Sequence, residues 1–349
     1  MDPSELLPEY EQLVARLLPA IRDDLPEAEF DARMLEVFAF QQRWNVPYAR
    51  YCATRPLPTH WSQIPAVPQS IFKRFRLSVA PPEATPVTFL TSGTTGETRG
   101  AHHFLDTRLY EAAITHGWAR LHRPDLAKII LTPNPVHAPH SSLAHMMGEL
   151  SDETSVFALA ADGQLEMGRI LAGLEVLHAL QRPVALLGTA LAFLNLFEQL
   201  GSTRPKLCPG SFAMETGGYK GSGRDIPKAE LYARFTKVLG LATDDVINEY
   251  GMTELSSQCY SSGLNRVHEA PPWMRALVFD PETGEQVDEG EIGVLRLYDL
   301  ANVGSVVALE TQDLAVRRAD GFELLGRDPA ALPRGCSRAA DEAIQAGLA

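Results

Sequence analysis

The sequence predicts an α/β protein, with a core of helix-covered sheets followed by a small β subdomain. Between residues 87 and 251, short β-branched or apolar runs alternate with longer stretches whose apolar residues recur every three or four positions. That pattern marks strands alternating with amphipathic helices. From Arg275 to Arg327 the helical period disappears, and alternating runs flank the turn-rich PETGEQVDEG, which reads as hairpins. The chain has 349 residues, 45% apolar and 21% charged, enough to bury a core without metal or disulfide support.

Each element follows from local pattern. Leu6, Tyr10, Leu13, Val14, Leu17 and Leu18 share one helical face, with Asp2 and Pro3 as cap and first turn. Phe30, Met34, Val37, Phe38 and Gln41 mark a second helix. Frequent prolines over 55–86 read as an irregular, extended entry to the core. VTFL (87–90) and KIILT (128–132) read as strands around the helix DTRLYEAAITHGWARL (106–121). SVFALA, PVALLGTA, KLCPG (206–210) and DVINEYG are further strand candidates; MGRILAGLEVLHAL, TALAFLNLFEQL and PKAELYARFTKVLG are helices. The expected division is a helical, Pro-rich region over 1–85 and an α/β core over 86–270. A β subdomain over 271–329 and a tail over 330–349, with a short helix after Arg338, follow.

Composition narrows the function. Lys plus Arg number 31 and Asp plus Glu 44, a net charge of −13, which argues against nonspecific binding to nucleic acid or an anionic membrane. The start carries no basic stretch before an apolar run, so it does not read as a signal peptide. No apolar stretch approaches the roughly 20 residues of a membrane span. Cys52, Cys208, Cys259 and Cys336 are scattered, which excludes a zinc ribbon or C-x-x-C site and suits free thiols in a reducing cytoplasm. There is no G-x-S-x-G, no H-E-x-x-H and no Walker A loop.

Several segments carry chemistry. FLTSGTTGETRG (89–100) combines glycines with hydroxyl residues after a strand. Glycines let backbone N–H groups approach an anion, hydroxyls add donors, and Arg99 adds a cation; on composition alone a polar turn fits equally well. NEYGMTEL (248–255) follows an apolar run, with Tyr250 able to stack on a base and Glu254 able to ligate Mg²⁺ through oxygen. In ETQDLAVRRADGFELLGR (310–327), Asp313 can accept hydrogen bonds from a ribose diol, or be a surface aspartate of a hairpin. A glycine-rich loop, TGGYKGSGR (216–224), contains Lys220, which can reach a phosphate or only solvent. His145 beside Met146 and Met147 is a candidate for the acid substrate's pocket; His140 and His145 are five apart, not the four of a helical metal pair.

Together, in this order and spacing, these segments resemble the adenylate-forming superfamily of acyl-CoA ligases, luciferases and peptide-synthetase adenylation domains. The resemblance spans roughly 85–329. It makes FLTSGTTGETRG the phosphate loop, NEYGMTEL the Y-G-x-T-E motif, and ETQDLA with LLGRD the ribose aspartate and hinge. The chain departs from the pattern with Thr98-Arg99 where Pro-Lys is usual and Gln312 in place of a glycine. Only 22 residues follow Arg327, so the mobile C-terminal domain with its catalytic lysine is expected to be lacking. The short form, IPAVPQSIFKRFRL, TGGYKGSGR and the tail cysteine in RGCSR resemble the acyl-protein synthetase family of bacterial bioluminescence, the long-chain-fatty-acid–luciferin-component ligases.

The resemblance implies ATP and Mg²⁺ as cofactors and a fatty or other carboxylic acid as substrate. Thr91, Ser92, Gly93, Thr94, Thr95 and Gly96 take the phosphates, and Gly217, Gly218, Glu249, Tyr250, Gly251, Met252 and Thr253 frame the nucleotide. Asp313 attends the ribose, Arg327 is the hinge arginine of the nucleotide-binding set, Glu254 takes the metal, and Arg99, Lys220 or Arg327 supplies the missing cation. Cys336, between Arg334 and Arg338, is a thiol whose thiolate can take the acyl group from acyl-AMP, for delivery to an acyl reductase partner. Two rivals stay open: a ligase that uses coenzyme A as acceptor, and a non-catalytic nucleotide-binding scaffold.

Overall fold

The computed structural model describes residues 3–23, 25–91, 98–217, 226–327 and Ile344. Three helices open the chain: α1 (Leu6–Arg22), α2 (Glu27–Trp44) and α3 (Val46–Cys52). The predicted stripes are the buried ones, with Leu13, Val14 and Leu17 of α1 and Phe30, Met34 and Val37 of α2 all inaccessible. Asn45 ends α2 and caps α3, its side-chain oxygen accepting from Tyr48 N. The Pro-rich stretch is irregular, apart from short 3₁₀ turns and the two-residue strand β1 (Val67–Pro68). Then come β2 (Val87–Leu90), β3 (Ala101–Phe104), α4 (Arg108–Ala119), β4 (Ala127–Leu131), α5 (Ser142–Glu149), β5 (Val156–Phe157) and α6 (Met167–Ala179). β6 (Val184–Thr189), α7 (Ala190–Leu200), β7 (Phe212–Thr216), α8 (Lys228–Leu239), β8 (Val246–Tyr250) and β9 (Cys259–Ser262) follow. The last strands are β10 (Val267–His268), β11 (Met274–Phe279), β12 (Ile292–Asp299), β13 (Ala308–Arg318) and β14 (Gly321–Arg327).

Two compact units emerge: residues 1–117, 252–258 and 267–349 form the first, and 118–251 with 259–266 the second. The second holds a six-stranded sheet in the order β5-β4-β6-β7-β8-β9. All pairings are parallel except β8 with β9. β4 and β7 are buried at every position, Lys128 and Glu215 included, as strands covered on both faces are, so neither shows alternation. Helices α6, α7 and α8 cover one face, where Ile129, Leu186 and Ala213 meet Phe193, Phe197 and Phe235. Because β4, β6, β7 and β8 run parallel, their carboxyl ends share one edge of the sheet, the usual place for a site in such sheets. KLCPG is not a strand; β7 begins two residues later, at Phe212. Pro205 and Pro209 supply no backbone donor, and Gly210 turns with φ 88°.

The first unit is built on antiparallel strands in the order β10-β14-β13-β12-β11, with β1 added parallel to β13. The helical start and the β strands after 267, read apart in the sequence, therefore belong to one unit. Gln41 of α2 shows how they join. It is fully buried; its Nε2 donates to the carbonyls of Asn302 and Val303 at 2.9 and 3.0 Å, and its Oε1 accepts from Val307 N at 2.8 Å. Trp61 adds edge contacts to Phe30 and Tyr298 at 5.5 and 5.1 Å between centroids. Among the described residues, no helix is long and apolar enough to cross a membrane.

The β13–β14 hairpin carries Asp313 and Arg327 opposite each other, and its turn depends on Gly321. That residue has φ 153°, and a Cβ there would lie 2.1 Å from the His268 carbonyl oxygen. Gly321→Ala is expected to destabilise the protein by about 1–3 kcal/mol, read as a melting temperature several degrees lower in a thermal scan.

Candidate functional site

In the first unit the glycine-rich segment is the loop of a hairpin. β2 and β3 pair from Val87↔Phe104 to Leu90↔Ala101. Thr91 extends the ladder, its N–H donating to Gly100 O at 2.9 Å and its Oγ1 accepting from Gly100 N at 2.8 Å. The sequence reading ran strand, loop, helix; β3 intervenes, and α4 begins only at Arg108. The four residues AHHF gave no strand signal because a buried histidine reads as polar. His102 is nonetheless 1% exposed, and its ring lies 4.2 Å from that of Phe104. β3, and not a helix, is therefore the element that follows this segment. Ser92, Gly93, Thr94, Thr95 and Gly96 lie outside the described residues, as do Gly218, Lys220 and Cys336. Arg99 is exposed, and its guanidinium turns back on the loop's base, donating to Thr91 O at 2.5 Å and Leu90 O at 3.1 Å.

The same unit brings Thr253 and Glu254 to this hairpin. His102 Nδ1 lies 2.8 Å from Thr253 O. A carbonyl only accepts, so Nδ1 carries the proton. Burial holds this imidazole neutral, pushing its pKa down to about 4. Glu254 is 3% exposed. Its Oε1 accepts from Gln69 Nε2 at 2.9 Å, and its backbone oxygen accepts from Asn302 Nδ2 at 3.0 Å. The following residues are held by Asp299, fully buried, which accepts from Ser256 N, Ser257 Oγ and Ala301 N at 3.0, 2.7 and 3.0 Å. Burial pushes that carboxyl up to about 6, against the pull of these donors. Asp313 pairs in register with Arg327, with 3.7 Å between Oδ1 and Nε, so the ribose candidate and the hinge arginine meet across two strands.

In the second unit, β7 and β8 end side by side, with Thr216 opposite Glu249. Gly217 (φ 69°) and Tyr250 are the next residues on each strand. Gly251 completes this unit's share of the motif, and the chain passes to the first unit at Met252. Glu249 is 5% exposed and accepts from the Thr216 hydroxyl. On the neighbouring register position, Glu215 accepts from Asn248 Nδ2 at 2.7 Å and Tyr232 OH at 3.3 Å. Burial pushes both carboxyls up to about 7. His145 is half-buried on α5, whose first turn is capped by Ser141 Oγ accepting from Ala144 N at 3.1 Å. Cys52, Cys208 and Cys259 are buried, and burial pushes the Cys52 thiol up to about 12, away from nucleophilic use.

Sequence reasoning missed Gln69, His102, Glu215, Asp299 and Asn302. Glu215 offered a signal, a charged residue inside the strand FAMET. Gln69 lies in IPAVPQSIFKRFRL, singled out only for its family likeness, and His102, Asp299 and Asn302 sit in unremarkable local sequence; all four acquire meaning through partners far along the chain.

The raised carboxyl of Glu249 carries a pH signature. The unfolded carboxyl titrates near 4.5 and the native one near 7, so the native state holds the extra proton in that window and stability falls as pH rises through it. Gln in its place still accepts from Thr216 and never ionises. Glu249→Gln is therefore expected to melt above the parent at about pH 8, with the gap shrinking toward about pH 5, where the parent is protonated; melting curves across that range check it. Glu215 keeps part of the slope in the variant.

These features match known proteins. A family model described as acyl-protein synthetase, LuxE, matches residues 13–345. The long-chain-fatty-acid–luciferin-component ligase of Aliivibrio fischeri is 22% identical over 342 residues, covering 91% of this chain and 89% of that protein. Among solved structures, an open conformation of 2-hydroxyisobutyryl-CoA ligase, in complex with 2-HIB-AMP and CoA, is similar with a TM-score of 0.63 at 16% identity, over 88% of this chain and 71% of that one. ATP-bound MatB from Rhodopseudomonas palustris has a TM-score of 0.50 at 17% identity, covering 71% of this chain. This chain spans 49% of MatB, about half its length. At these identities the structures speak for the fold, an adenylate-forming core. With that core and a family match over nearly its whole length, the chain belongs to the acyl-protein synthetase family LuxE, ligases that act on acids.

Proposed function

We propose that the protein activates a fatty or other carboxylic acid with ATP, forming acyl-AMP and pyrophosphate, and then loads the acyl group onto its own Cys336 for an acyl reductase to collect. One observation carries the first step. The strand that leaves the glycine-rich loop is bonded through His102 to Thr253, next to the buried carboxylate of Glu254. A loop of donors and an acid so linked suit a metal-complexed phosphate chain.

The described residues fit the groups this reading requires. Glu254 offers a hard carboxylate oxygen, and Gln69 Oε1 beside it is a buried polar atom without a partner among the described residues, which suits Mg²⁺ and the waters it retains. When bound, Mg²⁺ supplies charge neutralisation at the phosphates. The chain's work is then positioning and charge stabilisation, as in phosphoryl transfer generally. Thr91 and the loop after it hold the phosphates, and Arg99 braces the loop's base with part of its five-donor fork. Asp313 accepts from the ribose while Arg327, 3.7 Å from its Oδ1, orients the carboxylate. Gly217 and Tyr250 take the base, with the glycine's missing side chain admitting it closely. His145 attends the acid.

In the second step the Cys336 thiolate attacks the acyl carbonyl carbon of acyl-AMP. The carbon–sulfur bond forms as the carbon–oxygen bond to phosphate breaks, and AMP leaves with the electron pair. The reading draws its support from the family match, from RGCSR in the tail and from the burial of Cys52, Cys208 and Cys259.

Pyrophosphate release and intact mass, measured with ATP, Mg²⁺ and a panel of carboxylic acids, test both steps. The wild type is expected to release pyrophosphate with at least one acid and to gain an acyl mass removed by hydroxylamine. Cys336→Ser should keep pyrophosphate release and lose the acyl mass. Glu254→Gln should slow pyrophosphate release by about a hundredfold. No release with any acid overturns the activation step; normal acylation of Cys336→Ser overturns the choice of acceptor.

A further inference from the structure

We infer that Gln69 is a positioning residue for Glu254, and that its amide oxygen receives a water of the magnesium ion that Glu254 ligates. The inference rests on the ATP and magnesium reading above.

A carboxylate as enclosed as that of Glu254 is unfavourable without hydrogen bonds. Gln69 supplies one from a neutral donor, Nε2 to Oε1 at 2.9 Å. The amide's orientation follows from chemistry: the carboxylate only accepts, so nitrogen must face it and the amide oxygen must face away. That oxygen is buried and has no hydrogen-bond partner among the described residues, a state buried acceptors in native proteins seldom hold unless water, an ion or a ligand completes them. Mg²⁺ dehydrates reluctantly and keeps several waters. An amide oxygen next to the ligating carboxylate is a suitable acceptor for one of them. Glutamine suits this place better than the charged alternatives. A lysine or arginine would neutralise Glu254 and compete with the cation, and a second acid would raise the cost of ionising both.

Both partners have anchored backbones. Gln69 follows Pro68, which pairs with Glu310 on β13, and Ile71 and Phe72 just beyond it are 1% and 3% exposed. On the other side, Asn302 holds the Glu254 carbonyl, His102 holds that of Thr253, and Asp299 holds Ser256 N. With both main chains pinned, the side-chain bond from Gln69 to Glu254 helps set where the carboxylate points. Gln69 lies within the family-like segment IPAVPQSIFKRFRL, but that likeness gives it no role, and it stands 185 residues from its partner.

The test uses the full-length protein and reads binding as well as turnover. Calorimetric titration with ATP, in EDTA and over a range of Mg²⁺, should show tighter binding with Mg²⁺ in the wild type and loss of that increment in Glu254→Gln. Gln69→Met keeps the volume and removes the amide. It is expected to bind ATP in EDTA within about twofold of the wild type, to need about tenfold more Mg²⁺ for half-saturation, and to keep its KM for the acid. Circular dichroism and melting check the fold. Should the Met variant not fold, Gln69→Asn, with the amide withdrawn by one methylene, carries the test under the same criterion. A wild-type Mg²⁺ requirement in the folded variant overturns the role of Gln69 and leaves the ATP reading standing. A wild type without any Mg²⁺ increment, or a Glu254→Gln variant that keeps it, overturns the magnesium reading and this inference together.

Discussion

A buried polar framework in the first unit fixes the main chain on which Glu254 stands. Asp299, at the end of β12, gathers three donors from residues 256, 257 and 301, and Trp273 Nε1 donates to the same Ser257 hydroxyl at 2.9 Å. Asn302 extends the framework from Glu254 O to Val306 O and, through its Oδ1, to Ser256 Oγ. Gln41 closes it from the helical side. A burial this deep tolerates such groups only while each is satisfied, because an unpaired one loses its water without replacement. The segment from Thr253 to Ser257 is therefore held in one conformation by strands, a turn and a helix together. The N-terminal helices belong to this framework for the same reason: Gln41, together with Asn45, whose Nδ2 donates to Ser305 O at 2.9 Å, anchors the turn that carries Asn302 from that side.

The hairpin setting of the glycine-rich loop follows from the same economy. Phosphate sites often rely on a helix N-terminus, whose free N–H groups and dipole favour anions. Here the loop springs from two short antiparallel strands, and α4 starts well after them. The flanking residues are held by the pairing of Thr91 with Gly100, by Arg99 folded over the carbonyls of Leu90 and Thr91, and by His102 tied to Thr253. The arginine that replaces the usual lysine makes physical sense in this place. A planar fork can span the carbonyls of Leu90 and Thr91 at once, which a point-like ammonium does less well.

In the second unit the strand ends carry two buried carboxyls with different hydrogen-bond partners. Glu215 lies among Asn248, Tyr232 and, at longer range, Lys228, while Glu249 has the Thr216 hydroxyl. Both are neutral below about 7 because burial outweighs the hydrogen bonds that favour charge. A strand end bordered by neutral acids keeps the neighbourhood of Gly217 and Tyr250 from being strongly negative, which favours an anionic nucleotide there under the proposed reading.

Much of this protein was legible in its residues because the signals are local. The apolar stripes of α1 and α2, the buried parallel runs of β4, β6 and β8 and the hairpins after 274 follow from side-chain periods that each segment carries by itself. The same is true of the contiguous motifs around Thr91, Tyr250 and Asp313, and of the family they resemble, which the match over 13–345 bears out. The remainder depended on tertiary structure. KLCPG looks apolar enough for a strand, yet its proline denies the ladder a donor; AHHF looks too polar, yet Thr253 gives His102 a partner inside the fold. Gln69, Asp299 and Asn302 are ordinary polar residues in sequence. Their meaning comes from registers and turns that bring positions 69, 254 and 299–302 together. Periodicity encodes which face of an element is buried, but a polar residue on that face is satisfied only by a partner that the folded chain delivers, and no local pattern names that partner.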